Sequence, residues 1–142
     1  MRQHTRLMVT VLLIVGLPLS ACQRESGREK VEHPAQITKI EGSDLSRVTL
    51  TERAIQRLDL KTDQVREQGG KRVVPYSSLI YDLHGQTWVY TSPAPRAFVR
   101  HKVDVDYIEG NMAVLKDGPP SGTDVASVGV AELYGTEFKM GK

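Results

Sequence analysis

The sequence predicts a mainly β fold: a small antiparallel β-barrel or roll that carries one short helix. Three observations support this prediction. Beyond residue 70 the chain consists of short runs rich in Val, Thr and aromatic residues, and several of these runs alternate apolar and polar side chains. Clusters of Gly, Pro, Asn and Asp separate the runs at close spacing. Only one confident stretch has helical spacing, and the sequence contains no heptad repeat.

The first 21 residues have the layout of a secretory signal peptide. Two arginines within the first six residues form a short positive region, and residues 7–19 are almost wholly apolar. A transmembrane helix is the alternative, but a bilayer core needs about 20 apolar residues, and Pro18 interrupts the last turn. We therefore predict that residues 1–21 are removed and take no part in the fold.

The end of this segment, Leu19-Ser20-Ala21-Cys22, resembles the lipobox of bacterial lipoproteins. In that family the cysteine thiol receives a diacylglyceryl group, and cleavage just before it makes the lipidated cysteine the new N-terminus. The resemblance implies that Cys22 is lipidated, and that membrane lipid holds the protein in the cell envelope, facing the periplasm or the cell exterior. The alternative is ordinary cleavage that leaves an unmodified thiol, although a lone free cysteine is uncommon in a secreted chain.

The composition of the remaining 121 residues limits the possible functions. The full chain has 19 Lys and Arg against 17 Asp and Glu, and loss of the two signal-peptide arginines makes the charges equal. A neutral chain gives no support to nucleic-acid binding or to a polybasic membrane patch. Cys22 is the only cysteine, so no intramolecular disulfide can form. Folding therefore depends on a modest, mainly aliphatic core.

Residues 22–44 are predicted to form a flexible tether. Charges of both signs are mixed there, apolar residues are few, and neither helical nor strand periodicity runs through the segment. Val31, Ile37 and Ile40 could add a short extended piece near its end. The β domain is assigned to residues 45–138.

The predicted helix covers residues 51–58. Thr51 can cap its N-terminus, Glu52 places negative charge at its positive end, and Leu50 can pack on Ile55 across the cap. The other elements predicted in this part of the domain are strands at 47–50 and 60–66 and a turn at Gly69-Gly70.

A hairpin is predicted in the β region, with strands at 78–81 and 86–90 around a turn at 82–85. Residues 91–95 contain two prolines and are predicted to be a loop. Residues 97–106 alternate apolar and polar side chains, as a half-buried strand does. The remaining predictions are strands at 72–75, 112–115 and 124–129 and a helical turn at 130–133.

Four pieces of this region resemble, in order, the membrane-proximal domain of periplasmic adaptor proteins, the membrane fusion proteins of tripartite efflux pumps. The pieces are Val74-Pro75-Tyr76-Ser77-Ser78-Leu79-Ile80, Gln86–Tyr90, Phe98–Val105 and Asp117–Val125. The segment from Val48 to Val65 also resembles a piece that adaptors of metal-efflux systems carry shortly after their anchor. The resemblance covers residues 45–133.

This resemblance implies a non-enzymatic, reduced or accessory adaptor subunit that docks on an inner-membrane efflux or export transporter. Full-length adaptors place a β-barrel, a lipoyl-like domain and a long coiled-coil hairpin between the two pieces, where this chain has only residues 66–72. The resemblance therefore does not extend to the parts that bridge two membranes. It does not identify the docking residues, and it implies no cofactor. A third interpretation is a decayed adaptor that lost its middle.

The alternative function is a small ligand- or metal-binding lipoprotein, for which His84, His101 and Asp104 are the candidate ligands. Residues 101 and 104 are expected on opposite faces of a strand, which disfavours a shared metal. No catalytic residue is predicted, because no serine or carboxylate lies in a catalytic motif. Charges such as Asp104 and Asp106 are better explained as edge protection of a strand.

The aromatic residues of the β region allow two interpretations. The favoured one places Trp88 and Phe98 in the core, with tyrosine hydroxyls reaching the surface, because a small domain needs its aromatic rings inside. The other places several tyrosines together on the surface as a protein-docking patch.

Overall fold

A computed structural model describes residues 33–139. The predicted signal peptide, Cys22 and the first part of the predicted tether lie outside the described residues. The fold is mainly β, as predicted, and its sheet curls into an antiparallel half-barrel. The strands are β1 (Ala35–Lys39), β2 (Ser46–Leu50), β3 (Lys61–Gln64), β4 (Arg66–Gln68), β5 (Lys71–Pro75), β6 (Ile80–Tyr81), β7 (Thr87–Ala94), β8 (Ala97–Glu109), β9 (Met112–Asp117) and β10 (Asp124–Val128). The helices are α1 (Glu52–Arg57) and α2 (Val130–Glu137), and a short 3₁₀ turn covers Tyr76–Ser78.

The long strand β8 connects the two halves of the sheet. Its first half pairs with β7 on one side and with β2 on the other, while its second half pairs with β9. The register shifts on either side of Val105, where the pairing passes from one set of neighbours to the other. Bulges of this kind bend a strand and increase its twist, so one strand can serve both halves of a half-barrel.

Helix α1 begins where the sequence predicted a cap. The Thr51 hydroxyl accepts a hydrogen bond from the Ala54 amide at 3.2 Å. Leu50 is buried, and Ile55 packs against the same hydrophobic cluster. The predicted contact across the cap is therefore consistent with the observed packing, and α1 lies on the sheet through its apolar face.

Helix α2 is longer than the helical turn predicted at residues 130–133. Gly129, which precedes it, has a φ of 80°, a left-handed conformation that suits glycine. Val130, Leu133 and Glu137 are its buried residues. The spacing of three and four residues marks one helical face, but its last member is a carboxylate, so apolar periodicity alone predicted too short a helix.

Two hydrophobic clusters lie on opposite faces of the central strands β7 and β10. On β7 the neighbours Val89 and Tyr90 belong to different clusters, and on β10 Val125 and Ala126 do so. The helix-side cluster consists of Val48, Leu50, Ala54, Tyr90, Phe98, Ala126, Val130 and Leu133. The sheet-side cluster consists of Val65, Val74, Leu79, Val89, Val103, Ala113, Leu115 and Val125. Because strand side chains alternate, adjacent residues of one strand supply both clusters.

Several segments differ from the sequence predictions. The strand predicted at 78–81 is a strand only at Ile80–Tyr81, and the one predicted at 60–66 is interrupted at Val65. The predicted loop at 91–95 is wrong, because β7 continues to Ala94 and leaves only Pro95 and Arg96 as the turn to β8. Pro93 is tolerated because the pairing shifts between Thr91 and Ala94, where an irregular ladder needs fewer amide donors, and Pro95 lies in the turn. The predicted tether is also too long, since β1 lies within it and pairs with β2 over five residues.

Candidate functional site

The predicted metal ligands are not gathered into a cluster. His84 lies in the turn between β6 and β7, His101 pairs with Val89 in the middle of β8, and Asp104 pairs with Asp117. Within residues 33–139, no group of three or more His, Cys, Asp or Glu side chains could hold a metal ion. The predicted lipidation site, Cys22, lies outside the described residues.

The turn that contains His84 is organised by a carboxylate. Asp82 Oδ1 accepts hydrogen bonds from the amides of His84 and Gln86, and Oδ2 accepts one from the indole N–H of Trp88 at 3.0 Å. Desolvation opposes the ionised form, but these hydrogen bonds outweigh it and lower the pKa of Asp82. Trp88 is therefore only half-buried, contrary to the prediction that it lies in the core, because its N–H requires a polar partner.

A buried ion pair that no sequence signal indicated lies between Arg100 and Glu137. Glu137 Oε2 accepts hydrogen bonds from the Tyr90 hydroxyl and from Arg100 Nε, each at 2.7 Å. The Arg100 guanidinium lies 4.6 Å from the Trp88 ring centroid and 4.8 Å from that of Phe138. We call these five residues the Arg100 cluster. It joins the C-terminal end of α2 to β7 and β8.

The burial of the Arg100 cluster has two consequences. The Arg100 and Glu137 side chains are only 8% and 2% exposed, so neither charge is well hydrated and each depends on the other. Burial, together with the hydrogen bond to Glu137, raises the pKa of Tyr90. The Tyr90 phenol therefore stays protonated and continues to donate its hydrogen bond to Glu137. A pair of charges held in this way, with a phenol on the same carboxylate oxygen, positions the end of α2 against β7 and β8.

The second half of β8 pairs with β9 alone, so Asp104 and Asp106 lie on a strand with one open side, in agreement with the predicted edge protection. Asp106 lies 2.6 Å from Lys71 Nζ and 3.8 Å from Lys116 Nζ. The hydrogen bond from Lys71 is the main cause of the lowered pKa of Asp106 and of the raised pKa of Lys71. The Lys71 ammonium also lies 5.2 Å from the Tyr107 ring centroid. These charges pair across strands on the surface of the sheet.

The tyrosines divide between the core and the surface. Phe98 is buried, as predicted, and Tyr90 is fully buried. Tyr76 and Tyr81, in contrast, are 48% and 55% exposed. Partial burial is the main cause of a raised pKa of Tyr81, and the nearby Tyr76 phenol contributes to it. Tyr76 and Tyr81 thus lie close together, and we call them the tyrosine surface. They agree with the docking-patch interpretation of the aromatic residues.

A groove of about 570 Å³ lies at the start of the described chain. It runs beside β1 and the end of β2, and Arg96 borders it from the β7–β8 turn. Arg96 has a φ of 63°, a conformation that is uncommon outside glycine. The lining consists of His33, Ala35, Gln36, Thr49, Leu50, Thr51 and Arg96. No sequence signal pointed to this groove, because its residues come together only through strand pairing.

Comparisons with protein-family models, with curated proteins and with solved structures find no match. In the part of the chain that the structure describes, neither helix is long and apolar enough to cross a membrane.

Proposed function

We propose that this chain is a lipid-anchored, non-enzymatic protein of the cell envelope that acts as a reduced or accessory adaptor subunit for an efflux or export transporter. The observation that carries the proposal is the small number of residues between Cys22 and the β domain. β1 begins at Ala35, 13 residues after Cys22. A chain of that length spans at most about 45 Å when fully extended. A domain anchored through Cys22 is therefore confined to the layer in which the external face of a transporter lies.

The surface chemistry of the domain is consistent with docking. Tyr76 and Tyr81 expose about half of their side chains at neighbouring positions. Tyrosine is enriched at protein interfaces because it combines a large apolar area with a hydroxyl and costs little conformational entropy. In the Arg100 cluster, by comparison, the Tyr90 hydroxyl and Arg100 Nε both donate internally to Glu137. Surface recognition is thus better supported than chemistry in a buried pocket.

The anchor is tested by changing Cys22 to Ala. We expect loss of labelling by a radioactive or clickable fatty acid, and release of the protein from the membrane fraction. Two acyl chains give stable anchoring, because each buried CH₂ contributes about 0.8 kcal/mol. Ser26→Ala, four residues further along, is the matched control and should remain on the membrane. A Cys22→Ala protein that still sediments with membranes would contradict the proposal.

The docking role is tested by affinity purification of the tagged full-length protein from detergent extracts. We expect a membrane transporter to co-purify. The double change Tyr76→Ala and Tyr81→Ala should reduce its recovery, since a truncated interface aromatic often costs 1 kcal/mol or more, about fivefold in affinity. Tyr107→Ala removes a similarly exposed tyrosine elsewhere and is the control. Recovery of no transporter by the wild-type protein would overturn the docking role.

A further inference from the structure

Strand β1 has an open hydrogen-bonding edge. The Thr51 amide donates to the Pro34 carbonyl, and the Ile40 amide donates to the Leu45 carbonyl, so positions 34 and 40 face β2. In an antiparallel pair the residues that face the partner alternate with those that face away. Ala35, Ile37 and Lys39 therefore direct their amides and carbonyls outward. Within residues 33–139, β1 pairs with β2 alone.

The Leu50 amide supports this assignment. Leu50 is opposite Ala35 in the register, and its N–H turns away from β1 to donate to the Arg96 carbonyl at 2.9 Å. Because the Leu50 amide donates away from β1, Leu50 and Ala35 form a pair without hydrogen bonds between β1 and β2. The hydrogen bonds of β1 and that of Leu50 on β2 thus agree that the amide and carbonyl of Ala35 are directed outward.

The other sheet edges of the described domain are less suited to strand pairing. Residues 104–109 of β8 pair with β9 alone, and three of these six residues are carboxylates. β3 has two charged residues in four and an irregular register with β10. β4 has two charged residues in three, and β6 has only two residues. Charge, irregularity and short length are the usual devices that block edge pairing. β1 (Ala-Gln-Ile-Thr-Lys) has one charge, at its end, so it is the least protected of these edges.

Arg96 places one positive charge at the groove beside β1. Arg96 and His33 line it, and its lining contains no acidic residue. Arg47 on β2, opposite Thr38 in the register, is also exposed and forms no ion pair among the described residues. An occupant with negative charge therefore complements this side of the domain.

Two occupants from the chain itself fit less well. Residues 23–32 carry three basic and three acidic side chains and so bring no net negative charge. In a second copy paired antiparallel about Ile37, Lys39 would come opposite Ala35, at the end where Arg96 and His33 lie. Placing like charges next to each other disfavours that arrangement.

We infer that the outer edge of β1 binds an extended, acidic polypeptide segment of a partner protein by strand addition, with the segment's acidic side chains directed to the groove that Arg96 and His33 line. Main-chain hydrogen bonds to Ala35, Ile37 and Lys39 supply the pairing, and the groove selects for charge. The inference rests on the proposed docking role, which it extends by naming the chemistry of the partner segment.

The test uses the full-length lipidated protein in detergent and a capped octapeptide of alternating Val and Glu as the probe. The same peptide with Lys in place of Glu is its control. We expect the acidic peptide to bind, and to slow amide hydrogen exchange at residues 35, 37 and 39 at least tenfold. The outward amides of β3, at Thr62 and Gln64, should exchange unchanged, and affinity should fall as salt rises.

Two pairs of variants separate edge pairing from charge recognition. Ile37→Pro removes one outward N–H, which an edge strand tolerates, and should weaken binding by about tenfold. Gln64→Pro makes the same change on β3 and should not alter binding. Arg96→Gly removes the charge while suiting the positive φ, and should weaken binding about two- to fivefold without lowering stability. Arg66→Gly on β4 is its control.

Several results would overturn the inference. These are no binding of the acidic peptide, binding without protection at residues 35, 37 and 39, or equal binding of the lysine peptide. Protection of these amides without peptide would also overturn it. If that protection grew with protein concentration, the occupant would be a second copy; otherwise it would be residues 23–32. The peptide test needs no transporter. A failure of peptide binding therefore does not decide whether a transporter co-purifies, and a failure to recover a transporter does not decide whether the peptide binds.

Discussion

The two faces of the central strands are stabilised by different chemistry. The sheet-side cluster is built from Val, Leu and Ala side chains alone. The helix-side cluster adds the Arg100 cluster at its border, where the Glu137 carboxylate accepts from both Tyr90 and Arg100. A sheet packs on a sheet over a continuous apolar surface, whereas the short helix α2 offers few apolar residues. The comparison shows that a directional polar contact can position an element whose hydrophobic surface is small.

The largest expected effect comes from removing the shared acceptor. Glu137→Ala leaves Arg100 buried without its counter-ion and Tyr90 without its acceptor, and we expect a loss of about 3–5 kcal/mol in the free energy of unfolding. Urea denaturation followed by circular dichroism measures it. Glu132→Ala, on the exposed face of the same helix, should cost less than about 1 kcal/mol. Equal losses from both variants would show that the pair does not hold α2.

A smaller effect is expected for Tyr90→Phe, which removes one hydrogen bond to a charged acceptor. At pH 8 we expect a loss of about 1.5–3 kcal/mol. The pKa of Tyr90 is raised in the folded state, whereas an unfolded tyrosine ionises near pH 10. The stability that this phenol contributes is therefore complete below about pH 10 and declines as the pH rises further.

The difference in the free energy of unfolding between wild type and Tyr90→Phe should consequently become smaller between about pH 10 and pH 11.5. Its slope can reach about 1.4 kcal/mol per pH unit. Urea midpoints measured across that range check the prediction. Tyr81→Phe is the control: Tyr81 is largely exposed, so its removal should change the slope much less. A constant gap would indicate that the Tyr90 phenol ionises normally in the fold.

The smallest effect, with the opposite sign, is expected at Ser78. Its hydroxyl is fully buried beside Leu79 of the sheet-side cluster, and it is the buried side-chain polar atom that lacks a hydrogen-bond partner among residues 33–139. Ser78→Ala removes an unsatisfied group, so we expect the protein to become more stable by about 1 kcal/mol. Thermal and urea denaturation measure the change. Ser77→Ala is the neighbouring control, and a destabilised Ser78→Ala would reveal a partner for the hydroxyl.

Much of the fold was predictable because its signals are local. The cap at Thr51, the turn at Gly69 and Gly70, and the hairpin between β6 and β7 depend on a few adjacent residues, and all three are confirmed. The end of β7 was mispredicted, and β1 was expected only as a short extended piece of the tether. Each is held by pairing with a distant segment, and that pairing overrides the local signals of mixed charge and proline.

The candidate sites also divide into those that depend on adjacent residues and those that depend on contacts between distant segments. The resemblance at Cys22 depends on contiguous residues, so the sequence alone carries the lipidation hypothesis. The exposure of Tyr76 and Tyr81, the outward edge of β1 and the groove near Arg96 depend on which strands pair and which faces are covered. His84, His101 and Asp104 were candidates by residue type, and the topology keeps them from forming a cluster.

The amino-acid sequence by itself determined the fold class, the positions of the turns and helix α1, since alternation, capping and glycine conformations act over a few residues. Only the tertiary structure decided that Glu137 faces Arg100 and Tyr90, 37 and 47 residues away along the chain. It also left one edge of β1 without a partner strand among the described residues. Contacts between residues so far apart leave no periodic signal, because their partners are selected by strand register and helix packing rather than by spacing in the chain.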